Sequence, residues 1–210
     1  MVGIVISFML LLFPATANFE SFEGRIDVVQ KTHYETSYFS YFVKDNDVRI
    51  DKFDKDRKII LSLIIRIDKQ EIFILSPTKK LYTQLQISSA KKLESNHYKI
   101  LKTENSRIIN GAECYQWRVK NIERNTEVAY WVLQNNFYFF EDLVKLLNKT
   151  DKTYEFFEKI PGNQGFFPML SVERTLLRKE KLRTYVVNIN TKKINSSKFS
   201  IPDDYKTIAN

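Results

Sequence analysis

The chain has 210 residues, a hydrophobic fraction of 43%, a charged fraction of 28% and a formal net charge of +8. That length can bury a core without cross-links, and the composition is ordinary for a globular chain; wholesale disorder is excluded and one domain is expected. The single cysteine, Cys114, excludes an intrachain disulfide and a cysteine-held metal cluster.

The chain opens on an apolar run ending near Phe13, followed by Pro14 and Ala15-Thr16-Ala17. The run is too short to span a bilayer, and small residues at Ala15 and Ala17 suit signal-peptidase cleavage. Residues 1–17 are therefore expected to be a signal peptide, and residues 18–210 a single exported, soluble domain. No cysteine follows the run, so a lipid-anchored form is not expected.

From Phe19 to Leu85 the pattern is one of consecutive strands. Phe22 to Thr32 is the first. Ser37 to Lys44 is the second, with Phe39, Tyr41 and Val43 on one face and Tyr38, Ser40 and Phe42 on the other. Turns at 44–47 and 54–57 lead into Val48 to Asp51 and into Ile59 to Ile67. The latter is apolar on both faces (Leu61, Leu63 and Ile65 against Ile60 and Ile64), so cover on both sides is expected. Asp68-Lys69-Gln70 turns into Glu71 to Leu75, Pro77 ends that strand, and Lys80-Leu81-Tyr82 begins a short edge. Ile87 to His97 is polar and reads as a loop or short helix. The spacing of turns is that of an antiparallel meander, not of βαβ units.

Asn110-Gly111 predicts a type I′ hairpin turn, which needs positive φ at both central residues. After it, Tyr115, Trp117 and Val119 share a strand face, and beyond a turn at 123–125 Val128, Tyr130 and Val132 repeat the alternation. The period then changes. Asn135-Asn136 is expected to cap a helix from Phe137 to Leu147, with Phe140, Leu143, Val144 and Leu147 on one face. Asp151 is expected to cap a second, short helix ended by Pro161-Gly162. Asn163 to Ser171 reads as a loop holding Phe166 and Phe167 before Pro168. Strands from Val172 to Leu177 and Leu182 to Ile189 precede a tail containing Phe199-Ser-Ile-Pro202.

Little in this order carries chemistry. His33 and His97 are the only histidines and stand in no metal-binding spacing. Asp45, Asp47, Asp51, Asp54 and Asp56 lack the glycine and final glutamate of a calcium loop, so solvated turns are the better reading. Neither a phosphate-binding glycine loop nor a nucleophile elbow is present. No cofactor, metal or catalytic residue is expected, and an enzyme is the least favoured class. Cys114 reads as a small buried apolar residue. Val172 to Lys198 holds eight Lys or Arg and two Glu. Nucleic-acid binding would pair such charge with exposed stacking aromatics, which this stretch lacks. A solvated sheet face, or attraction to anionic lipid head groups, fits better.

The order Phe22-x-Gly24-x-Ile26, Tyr41-Phe-Val-Lys44, Val48-Arg-Ile-Asp51, Ile72-Phe-Ile-Leu-Ser-Pro77 and Leu81-Tyr82 resembles the front half of the LolA-like lipoprotein-carrier superfamily. Gly111-Ala-Glu-Cys114, Trp131, Phe166-Phe167-Pro168 and Phe199-Ser-Ile-Pro202 are similar to an uncharacterised envelope branch of that clan. At the turn before the fifth strand, Lys69-Gln70 stands where the carriers typically show Asp-Gly. The resemblance implies a mainly β fold: a curved antiparallel sheet, an incomplete barrel, with helices over its concave side. It also implies a monomer in the periplasm or cell envelope that holds a lipid or lipoprotein acyl chain in the apolar space.

In such a half-barrel one parity of each strand faces inward. The expected apolar lining is Phe39, Tyr41 and Val43; Leu61, Leu63 and Ile65; Tyr115 and Trp117; and Phe140 and Leu143 of the covering helix. Phe166 and Phe167 would form a movable lip, or else fill the core. Tyr38 and Phe42 replace their neighbours if the register shifts by one residue. A structural or interaction protein with a filled interior is the alternative to a carrier.

Overall fold

The computed structural model describes residues 21–87, 97–150 and 154–208. The expected signal peptide, most of the Ile87–His97 stretch and the Asp151 cap lie outside the described residues. In chain order the strands are β1 (Gly24–Thr32), β2 (Thr36–Lys44), β3 (Asp47–Phe53), β4 (Ile59–Arg66), β5 (Glu71–Ser76), β6 (Leu81–Gln84), β7 (Tyr98–Ile109), β8 (Ala112–Asn121) and β9 (Thr126–Gln134). Helices α1 (Tyr138–Leu147) and α2 (Glu155–Glu158) follow, then β10 (Phe166–Thr175), β11 (Glu180–Asn190), a 3-10 turn (Ser196–Phe199) and β12 (Lys206–Thr207).

All twelve strands join one open sheet in the order β12-β6-β5-β4-β3-β2-β1-β11-β10-β9-β8-β7. Every pairing is antiparallel except β12 with β6, which is parallel. Two meanders, β1 to β6 and β7 to β11, meet at a single seam where β1 pairs with β11. The result is an incomplete barrel with helices on one side, the fold class that the sequence leads one to expect.

Turn chemistry explains the hairpins. Asn110 and Gly111 sit at φ +50° and +78°, the left-handed pair that a type I′ turn requires. No atom lies within 4 Å of a Cβ built on Gly111, so the backbone alone selects glycine there. Asn125 has φ +46° in the next turn.

Two elements differ from expectation. Residues 166–171 form the start of β10 rather than a loop. Pro168 is tolerated because it stands at a bulge, between the pairings Pro168 to Val132 and Leu170 to Trp131, where the regular ladder is interrupted. Asn135 and Asn136 do not cap α1: Phe137 occupies the N-cap with no side-chain bond, while the Asn135 side chain accepts from the Asn136 amide at 2.8 Å. The helix is held instead by its tertiary contacts. Phe139, Phe140, Leu143, Val144, Leu146 and Leu147 are buried, and an i,i+4 pair joins Lys145 to Glu141 at 2.7 Å on the wet side.

Strand β4 is covered on both sides, as its composition requires. Ile65 packs in the helix-covered core, and Ile64 is fully buried on the opposite face. That second face is overlaid by the chain after β11, which runs as a strap past β3, buries Phe199 and ends by pairing with β6. Lys198 within the strap reaches the buried Asp51 carboxylate at 3.2 Å, and Arg49 reaches it at 2.6 Å. Ser62 donates to the same carboxylate at 2.6 Å. A buried charge is tolerable only with such partners.

Candidate functional site

The concave side is built from a cross-strand row. Ile74, Leu63, Ile50, Tyr41, Ile26 and Ile189 stand opposite one another on six neighbouring strands. Directly paired residues share a face, so this row settles the parity left open by alternation: Phe39, Tyr41 and Val43 face the helices, while Tyr38 and Phe42 face away. Leu61, opposite Lys52 and through it Phe39, shares the concave face with Leu63 and Ile65. In the other meander Tyr115, Trp117 and Val119 stand opposite Val132, Tyr130 and Val128 on the same side. Phe140, Leu143, Phe166 and Phe167 join the same cluster as Phe39, Tyr41, Val43, Leu63, Ile65, Tyr115 and Trp117, while Leu61 shares the sheet face but lies outside that cluster.

The space between sheet and helices is filled. Phe140 packs against Phe167 at 4.6 Å between ring centroids, against Phe157 at 5.3 Å and against Tyr154 at 5.6 Å. Phe137 meets Phe167 at 5.2 Å and Phe22 at 5.0 Å. Phe137, Phe140, Leu143, Phe157, Ile160 and Met169 are all fully or almost fully buried. Phe167 is a core residue rather than a lip. Phe166 is half-buried, packed on Trp117 at 4.6 Å.

Polar side chains tie the helices to the sheet. The Tyr41 and Tyr154 hydroxyls are hydrogen-bonded at 2.5 Å. Tyr98 donates to Glu155 at 2.8 Å, and Arg124 pairs with the same carboxylate at 2.5 Å, pinning α2 to the far meander. Lys102 lies over the Trp117 ring at 4.2 Å and donates to the Pro161 carbonyl at 2.7 Å; burial pushes its ammonium pKa down. Burial likewise pushes the Tyr130 phenol far above its ordinary range. Phe156, Phe157, Ile160 and Met169 complete the core and were not among the residues expected from sequence. Phe156-Phe157 on the short helix is the signal that could have found the first two.

On the opposite face a hollow of about 650 Å³ lies under the strap, lined by Phe42, Arg49, Ile194, Lys198, Ile201 and Pro202 among others. Two of its cations are already engaged, Arg49 and Lys198 with Asp51, and Lys198 also lies over the Phe42 ring at 4.2 Å; Lys193 lines the hollow as well. The acidic residues singled out from sequence do not converge: Asp54 caps its own turn through the amides of Asp56 and Lys58, while Asp51 is buried beneath the strap. Among the described residues no group of three or more His, Cys, Asp or Glu could hold a metal ion. Cys114 is buried, and burial raises its thiol pKa.

The molecule is thus an open antiparallel half-barrel with helices over its concave side, the architecture implied by the LolA-like resemblance. Residues 22–205 match the family described as Domain of unknown function (DUF4412), and the chain belongs to that family. No curated protein matches it. Among solved structures, an uncharacterized conserved protein from Thermus thermophilus is similar at TM-score 0.57, with 8% identity over 90% of this chain and 91% of that one. MucB, in the Pseudomonas aeruginosa MucA/MucB complex, is similar at TM-score 0.52 with 9% identity over 88% of this chain. This chain spans 57% of that MucB-containing match. A Vibrio parahaemolyticus domain named for outer membrane lipoprotein sorting also matches, at TM-score 0.32 and 6% identity over 84% of this chain and 87% of that one. At these identities the likeness is one of fold.

Proposed function

We propose that this chain is an exported, non-catalytic protein of the cell envelope whose half-barrel is a filled scaffold for interaction. The single observation that carries the reading is the packed concave side: Phe140, Phe157 and Phe167 occupy the space an acyl chain would need. The small-x-small site at Ala15 and Ala17 supports export, and the fold shared with MucB, a protein solved with MucA bound, supports a role in binding. No constellation of nucleophile and base, or of paired acid and base, emerges in the described concave side.

A second reading keeps the fold's implied ligand, a lipid or lipoprotein acyl chain held between sheet and helices. The observation favouring it is that α2 is only four residues long, so this part of the cover is a short piece holding Phe156 and Phe157 in place, with side-chain bonds at Tyr154 and Glu155 beside them. Native mass spectrometry of protein purified from a periplasmic fraction tells the two apart. The scaffold reading expects the apoprotein mass with an N-terminus at Asn18; a co-purifying lipid of stoichiometric amount overturns it in favour of the carrier.

A further inference from the structure

The sheet brings three hairpin tips together at one end. The turns joining β1 to β2, β10 to β11 and β8 to β9 are consecutive there, because the strand order runs β2-β1-β11-β10-β9-β8. Adjacent strands lie about 4.8 Å apart, so successive tips stand roughly 10 Å apart in a line. Each tip carries one large apolar side chain out in water: Tyr34 is 94% exposed, Leu177 88% and Ile122 53%. Each tip is closed by a backbone hydrogen bond. Thr32 and Glu35 close the first, Arg178 donates its amide to the Thr175 carbonyl at 2.9 Å in the second, and Asn125 donates to Ile122 at 3.0 Å in the third. The Asn125 side chain also accepts from the Leu176 amide at 3.1 Å, locking the second tip to the third.

Charge at this end is unbalanced in a specific way. The acidic side chains are mostly engaged within the protein: Glu180 with Arg183 at 2.7 Å, Glu123 with His97 at 2.9 Å and Glu35 with Ser37 at 2.9 Å. Asp56 on the neighbouring β3–β4 turn is the exception. Arg178 and Lys179 follow Leu177 in the same turn and are exposed, and Lys55, Arg57 and Lys58 crowd that neighbouring turn. A line of exposed apolar side chains, with cations on its middle tip and on the neighbouring β3–β4 turn, matches a surface with an anionic head-group layer above an apolar interior.

We propose that this protein docks on an anionic lipid surface through the line of tips Tyr34, Leu177 and Ile122, with Arg178 and Lys179 against the head groups. The occupant is the membrane surface, not an acyl chain in the concave core, so docking stands whether or not the filled-scaffold reading holds.

Co-sedimentation with vesicles tests it, using protein that begins at Asn18 alongside the full chain. Phosphatidylglycerol vesicles are expected to bind the Asn18 form, phosphatidylcholine vesicles to bind it much less, and added salt to weaken binding because head-group attraction is screened. Reversing both charges with Arg178→Glu and Lys179→Glu is expected to cut binding by about tenfold or more, from the ~1 kcal/mol that each cation contributes near such a surface. Tyr34→Ser with Leu177→Ser is expected to weaken binding while leaving thermal unfolding nearly unchanged, since both side chains are almost wholly exposed and Tyr34 meets only the His33 ring. Failure of the Asn18 form to bind phosphatidylglycerol overturns the proposal, as does binding undiminished in both variants. Binding confined to the full chain assigns attachment to the leading apolar run and equally overturns it. So does preference for a soluble poly-glutamate peptide over vesicles, which would make the partner an acidic protein.

Discussion

The hydroxyl of Tyr41, on the inward face of β2, is hydrogen-bonded at 2.5 Å to that of Tyr154, the residue at the start of α2. This bond ties the cover to the middle of the sheet. Removing one hydroxyl costs about 0.5–1.5 kcal/mol, the net worth of a neutral hydrogen bond. Tyr41→Phe and Tyr154→Phe are therefore each expected to lower stability by that order. The double variant is expected to lose less than the sum, because each single change removes the same bond. A double-mutant cycle by urea unfolding checks this; strict additivity shows the bond is not formed.

Phe167 and Phe166 are neighbours in sequence with different roles. Phe167 touches Phe137, Phe139 and Phe140, whereas Phe166 is half-buried against Trp117. Phe167→Ala is expected to cost roughly 3–5 kcal/mol and Phe166→Ala clearly less. Denaturant midpoints of the two variants decide. The reverse order would mean that Phe167 is the more mobile ring.

Two glycines fail for different reasons when replaced. Gly111→Val puts a β-branched residue at φ +78° with open space around it, so the expected loss of about 1–3 kcal/mol is backbone strain alone. At Gly24 a Cβ would sit 2.2 Å from the Asn190 carbonyl oxygen, so Gly24→Ala must push β1 from β11. Calorimetry is expected to show Gly111→Val as a simple drop in Tm. Hydrogen exchange in Gly24→Ala is expected to accelerate selectively along those two strands; uniform exchange would contradict this.

Asp51 is buried among Arg49, Lys198 and Ser62. Asp51→Ala leaves two cations without their partner and is expected to cost about 3–5 kcal/mol. Replacing Lys198 alone with Met is expected to cost less, since Arg49 still balances the carboxylate. Limited proteolysis is expected to cleave near Lys192 and Lys193 faster in the Asp51 variant, because the strap loses its polar anchor. Equal cleavage rates would count against that anchor.

Cys114 is fully buried, and burial raises its thiol pKa, so little thiolate forms and little of it can be reached. Native protein at pH 8 is expected to resist a disulfide reagent such as dithionitrobenzoate until denaturant is added. A fast native reaction would show that the β7–β8 hairpin opens locally.

How far the sequence carries depends on which signal each element leaves. Asn110-Gly111 leaves a steric one, and the meander around it is legible for that reason. The doubly apolar Ile59 to Ile67 correctly demands two covers. Parity was not legible: alternation has no sign until the helices choose a side, and only then do Tyr41 and Trp117 separate from Tyr38 and Arg118. Pro168 misleads, since it reads as a strand breaker and a bulge accommodates it. The strap leaves no periodic signal at all. Its Phe199 and Lys198 are held by Ile64's face of the sheet and by Asp51, residues far away in the chain. Most of the residues named from the resemblance pack in one cluster, Leu61 excepted, but alternation alone could not show that Phe157 and Met169 would pack among them.

The seam between β1 and β11 has a kinetic consequence. Residues 25–32 find their outer partner only in residues 182–190, so the first meander cannot complete its sheet until nearly the whole chain is present. Closing so large a loop is entropically slow, and long-range β pairing sets the pace of folding. A chain synthesised in order from its N-terminus would carry β1 as an unpaired edge for most of that time, open to strands of other chains. Folding is thus expected to lag until the last thirty or so residues are present, and the incomplete chain to be prone to association in the meantime.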